Sequence, residues 1–226
     1  MRNPNWCLYC SSYDRGLEHL LKMWPDVKKA VPKAELHIFY GWQLFVRFYA
    51  DNPASMAWKE KMDKMMLADG ITHHGRLPQP EIEEWYKKVG IWAYPTHFGE
   101  INCISAMKAQ AWGAVPVVIN YAALKTTVQY GWRIEGDIYE KAIQEEYKEN
   151  LIRALKDHKA QEKVREVMMP WAKEKFSWSK VAKQWSKEFK SDSLQEAMDV
   201  LLKEDAKLAD LMPVQLQAKN GIDPTY

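Results

Sequence analysis

YPTHFGEINCISAMKAQAWGAVPVVIN, residues 94–120, combines two kinds of secondary-structure signal in one stretch. An apolar run ends at Pro95, a short polar loop follows, and residues 103–112 have the composition of a helix. Gly113 comes next, as glycine commonly does after the last turn of a helix. Residues 115–119 then have the length and β-branched composition of a buried strand. The stretch therefore predicts a strand, a helix and a second strand, which is the repeating unit of a parallel sheet.

The same alternation extends toward the amino terminus. Strands are predicted over residues 6–10, 34–41, 70–75 and 91–95, and helices over 16–27, 53–69 and 80–89. Strands that alternate with helices through short connections indicate a parallel sheet with helices on both faces. Right-handed crossovers make that sheet Rossmann-like. We therefore predict an α/β fold built on a Rossmann-like parallel sheet.

The sequence after residue 120 predicts mostly helix. Helices are expected over residues 139–157, 159–175, 176–190 and 193–211, and the last eight residues are expected to be frayed. Ser177 is a candidate amino-terminal cap. We predict a Rossmann-like domain over residues 1–190 and a helical extension with a frayed tail over residues 191–226.

Composition excludes several classes of function. The formal net charge is +2 over 226 residues, so nucleic acid is not a favoured partner. No stretch approaches the length of an apolar membrane span, and the first residues carry no signal-peptide pattern. Three cysteines without a regular framework favour a reducing compartment, and we expect a cytoplasmic protein. Cys7 and Cys10 form a lone C-x-x-C within a strand, where residues three apart point to opposite faces, so no metal site is predicted. The 11 tryptophans suit either core anchors or stacking platforms for sugars or bases.

Polar residues follow the predicted strands at one edge of the sheet. Asn102 is a suitable cap for the helix that follows, and the free backbone N–H groups of a helix start favour phosphate. Glu100 precedes these donors and suits neutral hydroxyls attached to a phosphate, although it could instead cap the helix or pair with a surface lysine. Arg15 precedes Gly16, which allows close backbone approach, and Arg76 is a further cation at a strand end. This edge is where parallel α/β sheets bind ligands.

Three blocks resemble one enzyme family: SSYDRGLEHLL (residues 11–21), HHGRLPQPEIEEWYKKVGIWAYPTHFGEINCISAMKAQAWGAVPVV (73–118) and FSWSKVAKQW (176–185). They are similar to the carboxy-terminal donor-binding domain of GT-B glycosyltransferases, and most similar to the retaining family 4, often called group 1. The resemblance covers residues 5–189, and it implies that the Rossmann-like domain predicted over residues 1–190 binds a nucleotide sugar. It implies hexose transfer from a UDP-, GDP- or ADP-linked donor without a metal or other cofactor. It also implies that the acceptor-binding, amino-terminal half of the enzyme is missing from this chain. The alternative is a non-catalytic module with a scaffolding or regulatory role.

The resemblance also implies roles for individual residues. Glu100 matches the first glutamate of the family's E-x7-E motif, near the donor sugar, whereas the second position, which usually holds the ribose, is occupied by Lys108. A lysine cannot accept hydrogen bonds from ribose hydroxyls. Arg15 matches the second member of a basic pair for the diphosphate, and Ser11 or Ser12 occupies the position of the first. The remaining matches are Gly16 beside the diphosphate, the phosphate-binding loop at Asn102, Cys103 and Ile104, and Arg76 and Leu77 beside the nucleobase.

Overall fold

The computed structural model describes residues 1–189 and residue 199 of the chain. Its strands are β1 (Asn3–Cys10), β2 (Glu35–Phe39), β3 (Ile71–Gly75), β4 (Val89–Tyr94), β5 (Val115–Ile119) and β6 (Trp132–Ile134). Its helices are α1 (Leu17–Ala30), α2 (Gln43–Tyr49), α3 (Pro53–Met65), α4 (Gln79–Lys88), α5 (Ile104–Trp112), α6 (Leu124–Thr127), α7 (Lys141–Lys156), α8 (His158–Lys175) and α9 (Trp178–Glu188). The alternation of strands and helices predicted from the sequence is therefore confirmed.

The described strands form one parallel sheet in the order β3-β2-β1-β4-β5-β6. Every residue of β4 and of β5 is buried, as expected for central strands that are covered by helices on both faces. The prediction of five strands was incomplete, because β6 follows β5 at the edge of the sheet. Its three residues include the exposed Arg133, and so short a segment shows no periodicity.

The two central neighbours of the sheet, β1 and β4, create the crevice of the fold. They pair in parallel with Cys7 opposite Ile91, and their chain continuations run to opposite sides of the sheet, toward β2 and toward β5. The loops that leave their carboxyl ends therefore diverge and open a crevice between them, which is the ligand-binding position in this class of sheet.

Two arginines bind the carboxyl end of α5, which is the end remote from the crevice. Arg165 on α8 donates from Nε to the carbonyl of Gly113 at 2.7 Å, and Arg2 donates to the carbonyl of Trp112 at 2.7 Å. These carbonyls lie at the carboxyl end of α5, where helical geometry provides no intrahelical donors. These hydrogen bonds fix the position of α5, whose amino-terminal end faces the crevice.

The chain divides into two compact units, Met1–Phe176 and Ser177–Tyr226. In the second unit, the side chain of Ser177 accepts a hydrogen bond from the backbone N–H of Lys180, which confirms Ser177 as the cap of α9. The predicted domain boundary after residue 190 stays a prediction, and the helix predicted over residues 193–211 lies outside the described residues apart from Asp199. In the described part of the chain, no helix has both the length and the apolarity to cross a membrane.

Candidate functional site

Four side chains from the ends of β1 and β4 form a hydrogen-bonded cluster in the crevice. We call Ser11, Arg15, Tyr94 and Glu100 the switch-point site. Tyr94 ends β4 and donates its hydroxyl to Oε1 of Glu100 at 2.8 Å, and Arg15 donates Nη1 to the same oxygen at 3.1 Å. Ser11 Oγ lies 3.2 Å from the Tyr94 hydroxyl. Among the described residues nothing donates to Oε2 of Glu100, so this carboxylate oxygen can accept a hydrogen bond from a ligand.

Arg15 is oriented by two neighbours and remains accessible. Its guanidinium carbon lies 3.9 Å from the centre of the Phe98 ring, and its side chain is 33% exposed. Burial is the largest single effect and lowers the pKa of Arg15, but the charges of Glu100, Tyr94 and Asp14 together with the hydrogen bond to Glu100 outweigh it, so the pKa is raised. Arg15 is therefore a permanent cation, and only one of its nitrogens is bonded to Glu100. The remaining donors can meet the oxygens of a phosphate.

Gly16 brings the two loops of the crevice into contact. Its backbone lies in the left-handed region with a φ of +110°, and a Cβ at this position would be 2.2 Å from the Pro95 carbonyl oxygen. Glycine is therefore required both by conformation and by space. This contact sets the distance between the loop that carries Arg15 and the loop that carries Glu100.

Helix α5 begins at the mouth of the crevice, and its capping residue lies one position later than predicted. The prediction that Asn102 caps this helix was wrong: the capping position is Cys103, and Asn102 is exposed. Burial raises the pKa of the Cys103 thiol to about 12, so its sulfur stays protonated and contributes no charge. The first amides of α5, beginning with Ile104, retain the anion-binding potential of a helix start. Ile101 and Ile104 beside them are 98% and 64% exposed.

Lys108 lies on the second turn of α5 and is held by the neighbouring helix. Its Nζ donates to Oε1 of Gln79 at 2.8 Å and to Oε1 of Glu83 at 2.9 Å, both on α4. The ion pair is partly buried, with side-chain exposures of 28% and 33%. A carboxylate is thus present beside position 108, although it comes from α4 and not from α5. Sequence reasoning missed it because Glu83 is 25 residues away in the chain.

The other predicted residues lie around this site. The carbonyl of Ser12 accepts hydrogen bonds from the Tyr9 hydroxyl and the Arg15 backbone, so Ser12 shapes the turn that presents Arg15. Arg76 is exposed, and Leu77 packs partly against the core. Tyr94 was not among the predicted site residues, although its position as the last residue of a buried strand was a usable signal.

The described residues contain no group of three or more histidines, cysteines, aspartates or glutamates that could hold a metal ion. All three cysteines are free. Burial raises the pKa of both Cys7 and Cys10, in the latter case to about 11, which opposes the thiolate form that a redox or metal role requires. His73 hydrogen bonds with Tyr13, and His74 with His37.

Comparison with known proteins identifies the family. The family described as "Glycosyl transferases group 1" matches residues 5–168, which includes the whole crevice. The chain belongs to the group 1 glycosyl transferases. No curated protein sequence matches this chain at a significant level.

Solved structures place this group 1 chain among GT-B glycosyltransferases. The pneumococcal O-GlcNAc transferase GtfA, solved with UDP and GlcNAc, has a TM-score of 0.65 at 16% identity, covering 82% of this chain and 35% of GtfA. HepE of Anabaena, solved with UDP and glucose, has a TM-score of 0.64 at 11% identity, covering 81% of this chain and 47% of HepE. S. aureus TarM, solved as a mutant with UDP, has a TM-score of 0.65 at 12% identity, covering 84% of this chain and 36% of TarM.

These identities are low, so the structures establish the fold of this group 1 chain alone. The chain spans less than half the length of each of these three proteins. Its crevice between β1 and β4 corresponds to the ligand-binding position that the Rossmann-like order predicts.

Proposed function

We propose that this chain binds a nucleoside-diphosphate sugar in the crevice and serves as the donor-binding domain of a retaining hexosyltransferase. The observation that carries the proposal is the meeting of a permanent cation, Arg15, an anchored carboxylate, Glu100, and the start of α5 at one sheet edge. Such a combination suits a ligand with both a diphosphate and neutral hydroxyls. The UDP in the structures of GtfA and HepE supports this ligand class.

The proposed chemistry assigns different roles to the two ends of the site. As the bond to the sugar breaks, negative charge accumulates on the departing diphosphate. Arg15 and the first amides of α5 stabilise that charge. Glu100 is held by Arg15 and Tyr94 through one oxygen, and its second oxygen accepts a hydrogen bond from a sugar hydroxyl. Retention of the anomeric configuration is proposed from the family resemblance, and so is transfer without a metal or other cofactor.

We propose that Glu83 supplies the carboxylate for the ribose. Lys108 occupies the position where the resemblance implies a ribose-binding glutamate, and its amine lies 2.9 Å from Oε1 of Glu83. The lysine orients this carboxylate, whose other oxygen can accept from a ribose hydroxyl. The test compares ribonucleoside and 2′,3′-dideoxyribonucleoside diphosphates. Glu83→Gln should weaken binding of the ribonucleotide about tenfold and leave the dideoxy compound unchanged, whereas equal losses for both would refute this role.

The remainder of the catalytic machinery is also part of the proposal. The structural relatives are more than twice as long as the matched region, so we propose that transfer requires an acceptor-binding domain on this or another polypeptide. A cytoplasmic location is proposed from three free cysteines. The second candidate is a non-catalytic scaffolding or regulatory module, and the lysine at position 108 is the observation that favours it.

Calorimetric titration of the full chain with UDP, GDP and ADP tests donor binding. We expect saturable binding of one nucleotide, independent of magnesium, and a loss of roughly tenfold to a hundredfold in Arg15→Ala, because a charge-assisted hydrogen bond is removed. Arg153→Ala is the matched control, since Arg153 is exposed and lies in the last turn of α7. His158, which follows that helix, hydrogen bonds with Asn5 near the start of β1, at the edge of the sheet opposite the crevice. Absence of binding for all three nucleotides would reject the donor proposal in favour of the scaffolding module.

A further inference from the structure

A separate cavity opens beside the crevice, over the carboxyl ends of β4, β5 and β6. Its volume is about 380 Å³, which is within the range of small-molecule sites. We call it the β5–β6 cavity and define it by these polar and aromatic wall residues: His97, Asn120, Tyr121, Glu135, Asp137 and Tyr139. None of the four side chains of the switch-point site belongs to its wall.

The wall residues carry two exposed carboxylates with unused oxygens and two buried polar atoms without a partner among the described residues. Asn120 donates its amide to Oε1 of Glu135, while its own Oδ1 is buried and has no hydrogen-bond partner among the described residues. Nδ1 of His97 is likewise buried and unpartnered within that part of the chain. Asp137 accepts the backbone N–H of Tyr139 at 2.9 Å through one oxygen. The second oxygens of Glu135 and Asp137 receive no hydrogen bond from any described residue.

The charges of the cavity oppose an anionic ligand. Two exposed carboxylates, Glu135 and Asp137, face one cation, Lys125. Ionised carboxylates accept hydrogen bonds and donate none, so their natural partners are hydroxyl or amide hydrogens. A phosphate would meet net repulsion here, whereas it meets Arg15 and a helix start in the crevice. The crevice therefore favours an anionic ligand, and the β5–β6 cavity disfavours one.

Two aromatic rings add apolar faces to this wall of acceptors. Tyr121 is 47% exposed and Tyr139 is 61% exposed. An aromatic ring beside carboxylates suits a ligand that has both apolar C–H faces and peripheral hydroxyls. A neutral sugar ring has this combination of surfaces.

We propose that the β5–β6 cavity binds a neutral, hydroxyl-rich sugar ring, separate from the diphosphate. Its position beside the donor site is set by the β4 loop: His97 lies three residues before Glu100, and the backbone N–H of Ala123, between Tyr121 and Lys125, donates to the Glu100 carbonyl at 3.1 Å. That the ring belongs to an acceptor or to the donor rests on the proposed transferase function. The proposal that the cavity binds a sugar ring does not depend on that function.

The test is a nuclear magnetic resonance titration of the ¹⁵N-labelled full chain with methyl α-glucoside, methyl α-galactoside and N-acetylglucosamine at millimolar concentrations. We expect chemical-shift changes at the amides of Asn120 and Gly136 for at least one sugar. Glu135→Gln and Asp137→Asn should each weaken binding about tenfold. Glu140→Gln makes the same charge change three residues from Asp137 but outside the cavity wall, and it should leave binding unchanged. Absence of shifts for all three sugars would overturn the proposal.

Further arms distinguish the possible ligands. Lys125→Met should change sugar binding less than twofold, and a larger loss together with binding of inorganic phosphate would show an anion site instead. If the ring is an acceptor, the free sugar and a saturating nucleoside diphosphate bind together. If it is the donor's sugar, the matching nucleotide sugar displaces the free sugar and the diphosphate alone does not. Sugar binding that survives in Arg15→Ala would keep this proposal intact even where nucleotide binding fails.

Discussion

Replacement of Gly16 by alanine tests the contact that sets the geometry of the crevice. Gly16 has a φ of +110°, and its Cβ would lie 2.2 Å from the Pro95 oxygen and 2.8 Å from the Pro95 carbonyl carbon. Both neighbours are backbone atoms at the end of β4, so no side chain can rotate to relieve the overlap. The β1 loop must therefore move away from the β4 loop, and Arg15 moves with it.

Two other glycines separate the cost of the left-handed backbone conformation from the cost of the steric overlap. Gly75 also has a positive φ, of +68°, but a Cβ there would meet nothing within 4 Å, and the same open space surrounds Gly99, for which no positive φ occurs. A left-handed conformation costs a non-glycine residue about 1–2 kcal/mol. Overpacking adds about 1–3 kcal/mol. We expect a loss of roughly 2–5 kcal/mol in the free energy of unfolding for Gly16→Ala, about 1–2 for Gly75→Ala and about 0.5 or less for Gly99→Ala.

Urea denaturation followed by tryptophan fluorescence measures these three losses, and thermal unfolding provides a second reading. For a chain of this size a loss of 1 kcal/mol lowers Tm by roughly 2–4 °C. Nucleotide affinity should fall in Gly16→Ala and remain near the wild-type value in Gly75→Ala. Equal destabilisation of the Gly16 and Gly75 variants would refute the close contact between the two loops.

Three further perturbations have defined outcomes. Burial alone would raise the pKa of Glu18, but hydrogen bonds from two lysines and a tryptophan of α1 and α3 lower it to about 2. The stability that ionised Glu18 contributes is therefore complete above its ordinary pKa of 4.5 and is lost as the pH falls toward 2. Urea titrations should show a weaker pH dependence of stability in Glu18→Gln. Burial, and after it the charge of His74, lowers the pKa of His37 from 6.5 to about 4, so protonation favours the unfolded chain. The free energy of unfolding should therefore fall as the pH drops from 6.5 to 4, and it should fall less in His37→Gln. Tyr94→Phe removes a hydrogen-bond donor to Glu100. The affinity measured by calorimetry should fall about tenfold for a nucleotide sugar and less than twofold for the bare diphosphate. Equal losses would contradict the assignment of Glu100 to the sugar.

Much of the fold could be predicted from local patterns in the sequence. The strand, helix and strand of residues 94–120 were predicted correctly because buried strands and helices have different periodicities within a few residues. Arg15 and Glu100 were placed at one edge because all strands of a parallel sheet end on the same side. Asn102 was assigned as the cap from residue preference alone, and the backbone selected its neighbour Cys103 instead.

The partners of the site residues could not be predicted in this way. Arg15 and Glu100 are 85 residues apart, and they meet because β1 and β4 are neighbours in the sheet. Lys108 finds its carboxylate on α4, and the β5–β6 cavity requires β6, which is too short to show a pattern. The amino-acid sequence alone establishes which residue types stand at the strand ends, because secondary structure depends on near neighbours. Strand order and helix packing establish which of them meet, because those contacts join segments that are remote along the chain.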